Sequence, residues 1–285
     1  VAIDRLNKKY PELTWRLLVD LLPSRDSAMI LSGPGSKAVL WRDWKSEAVK
    51  PSDEEYFKSL ELLTNRIFER VNKNSEKWIE LIEHLPTFNF DLFSKSIQKL
   101  DEIADSIEKK ENRNRLWNEL RKLFNNHTSF NDAHWAMPDS FLKLLPPVIK
   151  KLTPEDPIDR NKWLFKFRPT LPIPYKDYEK SRDELEKRQI KALREIIESY
   201  GIDGVLNMAN SIDTHHNLGT ILQKVSLDKV STKKIISAIC EGENKSKIAY
   251  GYLSSVIRIE GDDWVNEFLS KERITIYHED CIAKI

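Results

Sequence analysis

Two features of this 285-residue sequence suggest chemistry first: a glycine turn beside a lysine, and histidines near one another. The turn lies in ILSGPGSKAVLWRDW, residues 30–44, where Gly33, Gly35, Ser36 and Lys37 suggest a loop that cradles phosphate. Such a loop needs Gly, four residues, then Gly-Lys-Ser/Thr, so that backbone N–H groups face the phosphates and a hydroxyl reaches magnesium. Here the two glycines stand too close together, Pro34 removes a donor, and no Ser or Thr follows Lys37. The turn reads as part of a long ordered loop, residues 23–51. Among the histidines, His215 and His216 are adjacent and their side chains diverge. His127 and His134 have no Asp, Glu or Cys at a zinc-site spacing. No metal or cofactor is expected.

RKLFNNH, from Arg121 to His127, resembles the Arg-x4–6-His motif of HEPN-type ribonucleases, in which both side chains on a helix flank a scissile phosphate. With six histidines in the chain, about one such match is expected by chance, and Arg273 with His278 supplies a second. Arg121 and His127 therefore stand as the alternative catalytic pair beside a principal reading without catalysis. The surrounding KKENRNRLWNELRK gathers Lys109, Lys110, Arg113, Arg115, Arg121 and Lys122 around Trp117, the ingredients of a nucleic-acid groove. Interspersed Glu108, Glu111 and Glu119 favour an ordinary amphipathic helix with Trp117 inward.

The elements that must position these residues read as helices. Only 8 glycines and a run of 3.6-residue periodicities argue against a turn-dense β fold. Pro11 opens a helix with Trp15, Leu18, Val19 and Leu22 on one face, and Pro23 closes it. Ser52 caps a long helix carrying Leu60, Ile67 and Val71. A shorter helix holds Trp78 and Ile82, and a second long-then-short unit follows at 90–127. Pro146 and Pro147 should break or kink the next helix in its middle. Five of the 13 prolines fall within 153–175, which marks a Pro-rich connector. That divides the chain into an amino-terminal helical part, 1–152, and a carboxy-terminal one, 176–285, whose short helical words are separated by Gly, Ser or Asp. Successive paired helices cannot bury their faces alone, which points to an all-α, solenoid-like stack of antiparallel pairs of the HEAT or TPR kind, with an irregular helical bundle as the alternative.

A net charge of +1 gives no overall attraction to nucleic acid or anionic lipid, and no run of about 18 apolar residues exists to span a bilayer. Two cysteines suggest a reducing, cytoplasmic setting. The start, VAIDRLNKKY, lacks the apolar core of a signal peptide, and its missing Met suggests a portion of a longer protein. The eight tryptophans are spread along the chain as expected of anchors for separate helix pairs. In WRDW and DRNKWLF, Trp41, Arg42, Trp44, Arg160 and Trp163 are the candidates for recognition or for bracing a loop by an ion pair.

Taken together, WRLLVDLLP (15–23), WRDW (41–44) and TPEDPIDRNKWLF (153–165) resemble the carboxy-terminal helical region of large bacterial multidomain proteins. Those proteins carry a sirtuin-like or nuclease effector, often with a STAND-type NTPase, and several act in antiviral defence. The resemblance implies a non-catalytic scaffold or sensor that touches a protein partner or neighbouring domains of its own chain. No effector or NTPase motif is present in these 285 residues.

Overall fold

A computed structural model of the protein describes residues 2–23, 52–261, 263, 264 and 270. Every regular element among them is helical, and none of these helices is long and apolar enough to cross a membrane. They form two compact units, divided between Thr153 and Pro154. Gly33, Lys37, Trp41, Arg42 and Trp44 lie outside the described residues, as do Arg273 and His278.

The first unit contains α1 (Ala2–Lys9), α2 (Pro11–Asp20), α3 (Asp53–Val71), α4 (Ser75–His84), α5 (Phe90–Ala104), α6 (Lys110–Ser129), α7 (Asp139–Leu142) and α8 (Leu145–Leu152). Local chemistry sets the helix starts. Pro11 and Pro146 occupy first-turn positions, where the missing N–H costs nothing. The Ser52 side chain accepts from the Glu55 N–H while Glu55 reaches back to the Ser52 N–H, a reciprocal cap that also lowers the Glu55 pKa. Asn74 and Asn89 cap α4 and α5. The proline pair does not kink one helix but separates α7 from α8.

Tryptophans fasten these helices. Trp78, buried on α4, stacks on Phe68 of α3 at 6.1 Å between ring centroids, and its indole N–H donates to the Asn72 carbonyl at 2.9 Å across the connecting turn. Trp15 of α2 donates to Glu80 of α4, and the Lys77 ammonium lies 4.9 Å from its ring centre. The end of α2 is tied down as well, since the Pro23 carbonyl accepts from His84 Nδ1 at 3.0 Å and from the Thr87 hydroxyl at 3.2 Å. Further along, α4 packs on α6 and α6 on α8. Arg113 of α6 donates to the Ala104 and Lys151 carbonyls, joining the ends of α5 and α8.

The second unit holds α9 (Pro157–Asn161), a 3₁₀ turn (Lys162–Phe165), α10 (Tyr178–Asn207), α11 (His215–Leu222), α12 (Lys229–Ser237) and α13 (Glu243–Glu260). Prolines do stop long helices in the segment 153–175, yet these residues fold rather than link. Leu164, Phe165 and Leu171 belong to the unit's buried core, and the Leu164 carbonyl accepts from buried Gln189 at 2.9 Å. Gly201, whose missing β-carbon suits it to end a helix, breaks the helical path of α10. It sits at φ 64°, ψ −170° and bends α10, whose last residues continue beyond it. Gly219 and Gly251 lie inside α11 and α13. These two helices meet there so closely that a β-carbon on Gly219 would stand 2.0 Å from the Ile248 carbonyl oxygen, and one on Gly251 2.1 Å from that of His216.

Candidate functional site

Arg121 and His127 both lie on α6, six residues apart, and the fold gives each a partner in the interior. His127 is 1% exposed. Its Nδ1 accepts from the Met137 N–H at 2.9 Å, so that nitrogen carries no proton, and its ring meets Trp135 edge-on at 5.3 Å. The imidazole therefore secures the turn from α6 toward α7. Arg121, 8% exposed, donates to Asn118 at 2.7 Å and lies over the Trp117 ring. Burial, opposed by nearby Glu119, lowers its pKa to about 10, so it remains charged at neutral pH. His127→Ala should cost about 2–3 kcal/mol, because it opens a void and strands a buried N–H. Thermal or urea denaturation checks that figure, and an RNA-cleavage assay on the wild type tests the ribonuclease alternative.

Several of the basic residues around Trp117 are engaged within the fold. Arg113 is committed to two helix-end carbonyls, Arg115 reaches Glu76 at 3.5 Å, and Lys122 pairs with Glu119 at 2.9 Å. Trp117 itself is buried and has no face on which a base could stack. His215 and His216 likewise serve the fold: a ring nitrogen of His215 lies 2.8 Å from the Ala209 carbonyl, and the His216 backbone is what Gly251 touches. Among the described residues no group of three His, Cys, Asp or Glu side chains could hold a metal ion.

Arg160 and Trp163 sit where the folded Pro-rich segment meets α10. The Arg160 guanidinium donates to the Pro154 and Glu155 carbonyls at 3.1 and 3.2 Å and pairs with Glu195 of α10 at 3.2 Å. Asn161 donates to the same Glu195 oxygen at 3.1 Å. Partial burial raises the Glu195 pKa, but the hydrogen bonds from Asn161 and Arg160 outweigh it and leave the pKa lowered. A lowered carboxylate contributes stability that is present above its ordinary value of 4.5 and lost as pH falls through the folded value. The second unit should thus lose up to about 1 kcal/mol from this pair on acidification below that value. Melting curves at pH 7 and below pH 4.5 should show a smaller drop for Glu195→Gln than for the wild type. Trp163 is half-buried against the core and acts as an anchor rather than an exposed contact.

The residues that do face outward are ones the sequence reading passed over. Just past the 3₁₀ turn, Phe167 is 70% exposed, and Tyr175 and Tyr178 are also exposed. The backbone beneath Phe167 is fixed on both sides. The Phe165 carbonyl accepts from the Asp213 and Thr214 N–H groups at 3.2 Å each and from the Thr214 hydroxyl at 2.8 Å. Asp213 in turn accepts from Lys166 at 3.1 Å and from the Phe167 N–H at 3.2 Å, contacts that lower its pKa. Arg168 adopts φ 49°, unusual for a side-chain-bearing residue, with its guanidinium 5.0 Å from the Phe167 ring centre. Beyond it, Pro172, Ile173 and Pro174 with the first turns of α10 line an open groove of about 640 Å³ edged by Asp177, Lys180 and Glu184.

No family model, curated protein or solved structure matches the chain. The geometry must carry the functional reading. A phenyl ring 70% exposed on a backbone held by hydrogen bonds at Phe165 and Phe167 is pre-positioned, which lowers the entropy lost when a partner covers it. The signal present in the sequence was KFRPTLPIPY, in which Phe167 and Tyr175 flank three prolines with no helical periodicity to bury them.

Proposed function

We propose that this protein is a non-catalytic helical scaffold that recognises another protein, with the arm 166–178 as its principal contact. The exposed Phe167 on its pinned backbone is the observation that supports this reading most strongly. Exposed aromatics on rigid supports are the usual anchors of protein interfaces, and the adjoining groove offers both apolar and charged edges. Packing of α4 on α6 and α6 on α8 supports a solenoid-like reading of the first unit. The second unit, built around the α11–α13 crossing, fits an irregular bundle better. The resemblance noted above supports placing the scaffold in a larger bacterial protein with an effector domain, in antiviral defence. The reading frame around the segment tests that part directly.

The recognition claim is tested by a triple variant, Phe167→Ser, Tyr175→Ser and Tyr178→Ser. These side chains are exposed, so melting should stay within a few degrees of the wild type. A protein retained stoichiometrically by the wild type from the source cell should be lost with the variant. Identical retention by both proteins would reject the assignment of the arm as the contact.

A further inference from the structure

Among the described residues, helix α2 carries more apolar surface than its neighbours cover. One row, Thr14, Leu18 and Leu22, is buried with Trp15. The adjacent row, Leu13, Leu17 and Leu21, repeats every four residues and is 56%, 41% and 58% exposed, and Tyr10 extends it at 47%. This helix is not a loose end, since Trp15, Glu12 and Pro23 tie it to α4 and the turn after it. On the solvent side of the leucine row runs a third row with the same spacing, Glu12, Arg16 and Asp20, whose charges alternate minus, plus, minus.

We infer that this face binds a second copy of the chain, α2 against α2 in antiparallel orientation about a two-fold axis. The charge row selects that occupant. With the axis beside Leu17 and Leu18, Leu13 of one copy approaches the Leu21 end of the other, and rows on the same flank run past each other in opposite directions. Arg16 of each copy then comes within reach of Asp20 of the other, so the same two residues form two symmetric ion pairs. Four side chains about half exposed amount to on the order of 400 Å² of apolar surface per copy. With the flanking polar row, that reaches only the lower end of specific interfaces, so the dimer is reversible, roughly micromolar or weaker. The α2 face belongs to the first unit and the arm to the second, so self-association does not depend on the arm having a partner.

Sedimentation velocity of the intact chain from low micromolar to several hundred micromolar tests the inference. The wild type should move from monomer toward dimer, and Leu17→Asp should remain monomeric throughout with unchanged helicity. Arg16→Asp and Asp20→Arg should each weaken association at least fivefold by opposing like charges. Combining them restores the pairing with its signs exchanged, and affinity should return to within about twofold of the wild type. Any of three results overturns the proposal: a wild type that is monomeric at every concentration, a Leu17→Asp protein that dimerises as well as the wild type, or a combined exchange no better than its single components.

Discussion

Gly219→Ala should be among the most damaging substitutions in the chain, at about 3–5 kcal/mol, and Gly251→Ala should cost a similar amount. At an ordinary position inside a helix, replacing Gly by Ala stabilises by up to about 1 kcal/mol, so the expected sign is the reverse of the usual one. The reason is steric. A methyl group on Gly219 would fall 2.0 Å from the Ile248 oxygen and 2.7 Å from the Tyr252 nitrogen, both backbone atoms that cannot rotate away. Relief requires α11 and α13 to separate, which loosens the packing of buried Leu218, Leu222, Ile248 and Tyr252. Hydrogen exchange over 215–222 and 243–260 should accelerate by two or more orders of magnitude in either variant. Lys247→Ala, at a half-exposed side chain of α13, should change it little. Unchanged exchange in Gly219→Ala would mean that the two helices do not meet at these glycines.

Trp78→Ala should destabilise the first unit by about 3–5 kcal/mol, in the range of large aromatic deletions from a core. Three losses combine: a buried side chain 1% exposed, its stack on Phe68, and its bond to the Asn72 carbonyl. Asn72 occupies a positive φ of 39° at the end of α3, so that bond supports a turn of low intrinsic preference. Trp78→Phe retains most of the volume and loses only the N–H donor, and about 1–2 kcal/mol is expected. Urea denaturation followed by circular dichroism should rank wild type, Trp78→Phe and Trp78→Ala in that order. Equal stability of Trp78→Phe and the wild type would remove the indole hydrogen bond from the account.

Much of the helical framework was legible because local chemistry dictates it. The Ser52 cap, Pro11 at a helix start and the inward row of Trp15, Leu18 and Leu22 all follow from spacing. What escaped was set by tertiary contact. Gly219 and Gly251 fall inside helical words, but why they are glycine shows only once the facing backbone is known, because the missing β-carbon that weakens a helix also permits close approach. The second leucine row on α2 looks like more core, since residue type does not tell which arc of a wide apolar face the fold leaves open. Trp163 and Phe167 are four residues apart and equally aromatic, yet only the first packs against the core, because Gln189 and Asp213 fix where the segment turns. A proline-rich stretch reads as a linker when its buried Leu164, Phe165 and Leu171 have no visible partner in the sequence.

The same physics joins the stable parts to the proposed function. Arg160, Asn161 and Gln189 hold the Pro-rich segment on α10, and Asp213 and Thr214 fix its outgoing strand of backbone. Phe167 is thereby displayed without being supported by burial of its own ring.

Photo-crosslinking in the source cell tests that display most directly, with a benzophenone side chain replacing Phe167 or Tyr178, and in a control replacing the exposed Ile259 of the same unit. The recognition account predicts a discrete protein adduct from positions 167 and 178 that is absent from position 259. No adduct at 167 and 178, or the same adduct at all three positions, would contradict it.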